Sequence, residues 1–292
     1  MGLAVMLDPV NRFYRYPLAA RLLPAVAATP VTPNQITALH TLLGLGAAAC
    51  VWRGSGAAVL LAGLLWELHL VLDCLDGVLA RARGNASDHG RTLDILGDTV
   101  AYLALAAAMA GYVRATAPGF PAGAVTVAMI VSGALAAWAH DFFSRKITAA
   151  LTSGTDPVYE ALLARHRAVT TGRGGFVAWF GYVFEWLQII GLQPGTGHEL
   201  ARRLRAGEPP PAPGASAEVR GIVATARAPS ARRAFRAISL MSNDNDVTIL
   251  GLGLLSGQIL TAQLVATIYA AVTLLVGIVL CQWFLTEAAR TP

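Results

Sequence analysis

Long apolar stretches dominate this chain, and they limit its fold before any motif is read. A run of about 20 residues with few charges is long enough to cross a bilayer as an α-helix. Such runs extend over about 35–51, 57–80, 92–113, 123–149 and 264–285, and a shorter one over 247–260 needs flanking residues to reach that length. Of 292 residues, 55% are hydrophobic and only 13% charged, far from an ordinary soluble domain. The expected fold class is an all-α integral membrane protein with six transmembrane helices. A net charge of +5 could suit a nucleic acid, but no basic helix interleaved with aromatics stands out, so no nucleic-acid partner is expected. Cys50, Cys74 and Cys281 lie in or beside apolar segments without a CxxC pair, which argues against a zinc site or a disulfide framework.

Four regions follow in order. Residues 1–34 form an N-terminal interfacial segment, where Arg12, Arg15 and Arg21 alternate with Phe13, Tyr14, Leu18 and Leu22 as in an amphipathic helix lying on a membrane surface. Thr32-Pro33-Asn34-Gln35 is a helix start signal that opens the first span. Residues 35–149 carry the first four spans. Residues 150–246 form a polar, cytoplasmic insertion, partly interfacial or disordered, with basic stretches at Arg202–Arg205 and Arg232–Arg236. Within it, the proline-rich piece Glu208–Gly214 reads as a flexible, extended linker. Residues 247–292 hold the last two spans.

Phe176–Leu192 is apolar and aromatic and has two readings, a seventh span or a helix lying at the interface. With six spans, every one of the 22 Lys and Arg except Arg53 and Arg114 falls on one side, which is then the cytoplasmic side. A seventh span would break that pattern, so the interfacial reading is preferred.

The chemistry concentrates between residues 73 and 98. Asp73 and Asp76 are one helical turn apart, as are Asp94 and Asp98, so each pair shares a helix face. Acids at the end of a membrane helix are costly unless paired, hydrated or bound to a cation. Four of them without a matching cation cluster call for a hard divalent metal, Mg²⁺ first and Mn²⁺ second. Gly77 lets a bulky group approach the helix backbone, Ala80 keeps the next turn small, and Arg81 offers a fork to a phosphate. Ser87 can donate from the loop, and Gly90 permits a tight turn into the third span. Asp88 and His89 flank Gly90 as solvated loop residues. Glu67 and His69 in the second span, and His140 and Asp141 in the fourth, read as hydrogen-bond partners inside the bundle.

The order Asp73-x2-Asp76-Gly77-x2-Ala80-Arg81-x8-Gly90-x3-Asp94-x3-Asp98 resembles the signature of the CDP-alcohol phosphotransferase (CDP-alcohol phosphatidyltransferase) family. The resemblance extends to Thr32-Pro33-Asn34-x-Ile36-Thr37 and to the six-span layout, but not to the 150–246 insertion. It implies that Asp73, Asp76 and Asp94 bind metal, two ions in all, and that Asp98 acts as general base and also touches a metal. Asn34, Thr37, Gly77, Ala80, Arg81, Ser87 and Gly90 would lie near the CDP group. An acceptor hydroxyl would attack the phosphorus on the non-cytidine side of the donor, and CMP would leave.

The implied donor is CDP-diacylglycerol, the acceptor a polar alcohol such as inositol phosphate or glycerol phosphate, and the setting membrane lipid. A CDP-linked soluble alcohol such as CDP-inositol is the alternative donor. Arg145 and Lys146 are candidates for an acceptor phosphate, or they anchor the helix end. The resemblance further implies a homodimer. Localisation in the cell inner (plasma) membrane, with the active site facing the cytoplasm, is expected. Two other classes compete. A membrane prenyltransferase needs two separated acidic motifs, and only one is present. A divalent-cation transporter needs acids near the midplane, whereas these sit at a span end beside a basic loop.

Overall fold

A computed structural model describes residues 6–85, 87–172, 175–206 and 217–291. The expected linker Glu208–Gly214 lies outside the described residues, as do the side chains of Asp88 and His89. Regular structure among the described residues is helical throughout. Among them, five helices are long and apolar enough to cross a membrane: Pro33–Arg53 (α2 here), Gly56–Ala82 (α3), the Leu93–Thr116 part of Asp88–Thr116 (α4), Ala122–Thr152 (α5) and Ile259–Arg290 (α12). Apolar side chains such as Leu42, Leu60, Leu64 and Leu275 stand exposed along them, as a lipid-facing surface requires. The protein is an integral membrane protein.

Among the described residues five helices meet that criterion, against six expected spans. The stretch that reads as the fifth span is Asn243–Ser256 (α11), a helix of 14 residues. Ser242 caps its start, and Gly257 stops it in the left-handed conformation at φ 72°. Fourteen residues rise about 21 Å, short of a hydrocarbon core of about 30 Å.

The chain divides into two compact units. One comprises Leu7–Ala134 and Ser242–Val272 and contains the aspartate motif. Its N-terminal element is a π-helical turn, Asn11–Arg15, running into Tyr16–Ala27 (α1). Phe13 and Tyr14 are exposed, in line with an amphipathic pattern, but Arg15 is not on the polar face. It is fully buried and forms a two-pronged ion pair with Glu67 of α3, Nε to Oε1 at 3.1 Å and Nη2 to Oε2 at 3.0 Å. α2 opens on a capping box, in which Thr32 Oγ1 accepts from Gln35 N–H and Gln35 Oε1 accepts from Thr32 N–H. That start fixes the rotation of α2, and with it the face carrying Thr37 and His40.

α2 packs against α3 and α4. Gly44 allows this closeness, since a Cβ there would sit 2.6 Å from Ala101 Cβ on α4 and 3.5 Å from His69 Nδ1 on α3. Gly44→Leu is therefore expected to destabilise the fold by about 1–3 kcal/mol through overpacking, read as a lower unfolding midpoint in detergent. On the far side of α3, Trp66 Nε1 donates to the Val247 carbonyl of α11 at 3.0 Å, and its ring lies 4.7 Å from that of His69. Beyond the end of α3, Arg83 donates to four backbone carbonyls at the end of α1 and in the turn to α2: Val31 at 2.6 Å, Thr29 at 2.8 Å, Ala27 at 3.3 Å and Val26 at 3.5 Å.

The other unit comprises Leu135–Met241 and Thr273–Pro292 together with Met6 among the described residues. Its core is built on Phe142, Phe143, Leu162, Ile238 and Phe284. Much of the polar insertion is ordered here as Pro157–Thr170 (α6), Gly175–Leu192 (α7), Pro194–Ala206 (α8), Ala217–Thr225 (α9) and Pro229–Met241 (α10). α10 explains one basic stretch. Ala231, Ala234, Phe235 and Ile238 turn inward at helical spacing, which leaves Arg232, Arg233 and Arg236 outside.

Candidate active site

Three helices of the first unit bring the site together. α3 supplies Asp73 and Asp76, α4 supplies Asp94 and Asp98, and α2 supplies Thr37 and His40 one turn apart. Thr37 Oγ1 donates to Asp76 Oδ2 at 2.5 Å, which anchors that carboxylate across the α2–α3 interface. His40 is completely buried. Its Nε2 lies 3.3 Å from Asp76 Oδ2 and 3.6 Å from Asp94 Oδ1, and its Nδ1 lies 3.7 Å from Asp98 Oδ1. Behind it His69 Nδ1 donates to the His40 carbonyl at 2.9 Å, while His69 Nε2 lies 3.8 Å from Asp98 Oδ1.

Among the described residues two groupings could hold a cation, His40 with Asp73, Asp94 and Asp98, and His40 with His69 and Asp98; the ligand atoms of each lie within 4.8 Å of one another. The donor set fits a divalent ion for a further reason. His40 Nε2, Asp94 Oδ1 and Asp98 Oδ1 are all buried and have no hydrogen-bond partner. Buried polar atoms are almost always paired, and one cation among these would satisfy them together.

Beside this cluster lies a cavity of about 620 Å³. Its lining includes Asn34, Thr37, Gly77, Ala80, Arg81, Ser87 and Gly90, together with Asp76, Asp94 and Arg91. Asp94 therefore belongs to both the cavity and the cation cluster. At Gly77 a Cβ would meet only the Arg81 guanidinium, at 3.4 Å, so its absence leaves room above the α3 backbone. Ser87 caps α4, its Oγ accepting from Gly90 N–H at 3.1 Å. The cavity is thus lined by the start of a 29-residue helix, where backbone N–H groups favour an anion.

A sequence model of the family described as CDP-alcohol phosphatidyltransferase matches residues 30–187, more than half of the chain. The chain belongs to that family. As a CDP-alcohol phosphatidyltransferase family member it is an enzyme, a transferase of substituted phosphate groups. The family transfers a phosphatidyl group from a CDP-alcohol and uses a divalent metal. The match takes in the capping box, the cavity and all four aspartates, and it continues past residue 150 into α7, farther than the motif resemblance reached. No curated protein matches the chain.

Two residues proposed for an acceptor phosphate sit in the other unit, where acids already hold them. Arg145 donates through Nη1 and Nη2 to Glu185 at 3.1 and 3.2 Å, through Nε to Asp141 at 3.0 Å, and through Nη2 to Gln188 at 3.0 Å. Lys146 is buried and donates to Asp156 and Glu218. His40 carries no motif in the sequence. The available signal was a histidine one turn beyond Thr37 on an otherwise apolar helix.

Proposed function

We propose that this enzyme moves a phosphatidyl group from CDP-diacylglycerol to the hydroxyl of a polar alcohol such as inositol phosphate or glycerol phosphate, releasing CMP. The observation that carries the reading is Asp94, shared between a nucleotide-sized cavity and the half-buried carboxylate cluster around His40. Asp73, Asp76, Asp94 and Asp98 would hold two Mg²⁺ or Mn²⁺ ions, which supply charge neutralisation at the diphosphate and stabilise the leaving phosphate. Arg81 forks onto a diphosphate oxygen, with the α4 N-terminus and Ser87 donating alongside. Asn34, Thr37, Gly77 and Ala80 line the cavity, and in this reading the small residues admit the cytidine part.

Asp98 takes the proton from the acceptor hydroxyl. The hydroxyl oxygen then bonds to the phosphorus that bears the diacylglycerol, the bond to the bridging oxygen breaks, and the electron pair leaves with CMP. Exposed apolar side chains along the spans support a donor delivered from the bilayer. The same reading keeps the cavity on the cytoplasmic side of the cell inner membrane, α1 on the membrane surface and the working enzyme as a homodimer.

The test incubates purified protein with Mg²⁺ or Mn²⁺, CDP-diacylglycerol and a panel of phosphorylated and plain polyols, and measures CMP. Metal-dependent release with one acceptor is the expected result. Release only from a CDP-linked soluble alcohol would replace the donor, and none from either would overturn the reading. Within it, Gly77→Leu is expected to raise the KM for the donor at least about tenfold, because the added side chain occupies the cavity, while Mn²⁺ affinity measured in the absence of donor stays unchanged.

A further inference from the structure

We propose that His40 is a nitrogen ligand of the cation held by the aspartate cluster, and that it makes this site prefer Mn²⁺ to Mg²⁺; the inference rests on the metal-dependent transferase reading above. The starting point is a polarity that the surrounding fold does not satisfy. His40 sits at 0% exposure in an apolar helix, and its Nε2 has no hydrogen-bond partner. The atoms it faces, Asp76 Oδ2 at 3.3 Å and Asp94 Oδ1 at 3.6 Å, are too far for a charge-assisted hydrogen bond, which closes to about 2.7–2.9 Å. Asp94 Oδ1 and Asp98 Oδ1 are orphaned in the same way.

Those spacings do suit ligands of one ion. Two ligands about 2.1 Å from a metal and at right angles to each other lie about 3 Å apart. His40 belongs to both groupings of residues whose ligand atoms converge, whereas His69 belongs to one. Its ring is also held in place. The His69 N–H fixes the His40 carbonyl, the two rings lie 5.1 Å apart, and Trp66 packs on the far face of the pair. Behind Nε2, which is given to the ion, Nδ1 faces His69 Nδ1 at 3.2 Å and Asp98 Oδ1 at 3.7 Å.

The consequence is selectivity. Mg²⁺ takes oxygen ligands and gives up its water reluctantly, so a site of carboxylates alone serves it well. An imidazole nitrogen adds affinity for a transition ion and little for Mg²⁺.

The test uses the full-length protein in detergent, loaded with Mn²⁺ alone and examined by pulsed electron paramagnetic resonance. Wild type is expected to show nitrogen modulation on the Mn²⁺ signal, changing from a ¹⁴N to a ¹⁵N pattern when the histidines are ¹⁵N-labelled. The modulation should vanish in His40→Gln and persist in His69→Gln. The Mg²⁺ needed to displace half of the Mn²⁺ should fall at least tenfold in His40→Gln. The labelled wild type needs no substitution, so a histidine signal can be sought even if His40→Gln does not fold. Bound Mn²⁺ without nitrogen modulation, or modulation that survives His40→Gln, overturns the role of His40 and leaves the transferase reading standing. A wild-type protein that releases CMP without any divalent ion overturns both.

Discussion

Asp98→Asn is expected to bind the CDP-linked donor with close to wild-type affinity and to release CMP about 10³-fold more slowly at saturating metal. The substitution preserves shape and one carbonyl oxygen but removes the basic electron pair that would accept the acceptor's proton. The surroundings of Asp98 favour this role over a purely structural one. Its Oδ1 is buried without a hydrogen bond, and two histidine nitrogens lie at 3.7 and 3.8 Å, close enough to orient the carboxylate and too far to consume it. Donor binding should survive because Asp98 is not among the cavity-lining residues, whereas Asp76 and Asp94 are. Single-turnover CMP release, paired with a calorimetric donor titration, separates the two effects. Release at the wild-type rate would remove Asp98 from proton transfer.

The second large effect is on the fold. Glu67→Gln should destabilise the protein by about 3–5 kcal/mol, because it strands the buried Arg15 guanidinium without its counter-charge. Burial by itself lowers the pKa of Arg15, yet the Glu67 carboxylate outweighs that and holds it above its ordinary value, so the guanidinium stays charged at any working pH. The pair is also specific in shape, two donors meeting two oxygens. Replacing both partners at once, as in Arg15→Met with Glu67→Leu, removes the two charges together and should recover most of the loss. Thermal unfolding in detergent, followed by near-UV circular dichroism, measures both variants. A Glu67→Gln protein with wild-type stability would show that Arg15 finds another partner.

These two residues mark where the sequence is legible and where it is not. The aspartates declare themselves because their spacing, and that of Gly77, Arg81 and Gly90 between them, is local and periodic. The start of α2 is legible for the same reason, since a capping box is complete within four residues. Arg15 is different: beside Arg12 and Arg21 it reads as one more basic residue of a surface helix. Only the packing of α1 on α3 turns it inward, to a partner 52 positions away.

His40 is illegible for a related reason. A single histidine in an apolar run has no local partner to betray it, and the carboxylates it faces lie on two other helices. Arg145 is half legible, for Asp141 one turn earlier already offers an i, i+4 pair. Its second acid, Glu185, comes from α7 and cannot be read from α5.

The four carbonyls gathered by Arg83 give the loop arginines a division of labour. Arg81, Arg83 and Arg91 look alike in sequence, three cations around one turn. Arg83 spends its donors on Val26, Ala27, Thr29 and Val31, so it works as a strut that joins the end of α1 to the end of α3. Arg81 and Arg91 instead line the cavity. A lysine at 83 would carry the same charge but gather its donors on one nitrogen, too compact a head to span the whole turn. The number of basic residues in such a loop counts charges, and only the backbone around it tells which of them are already employed.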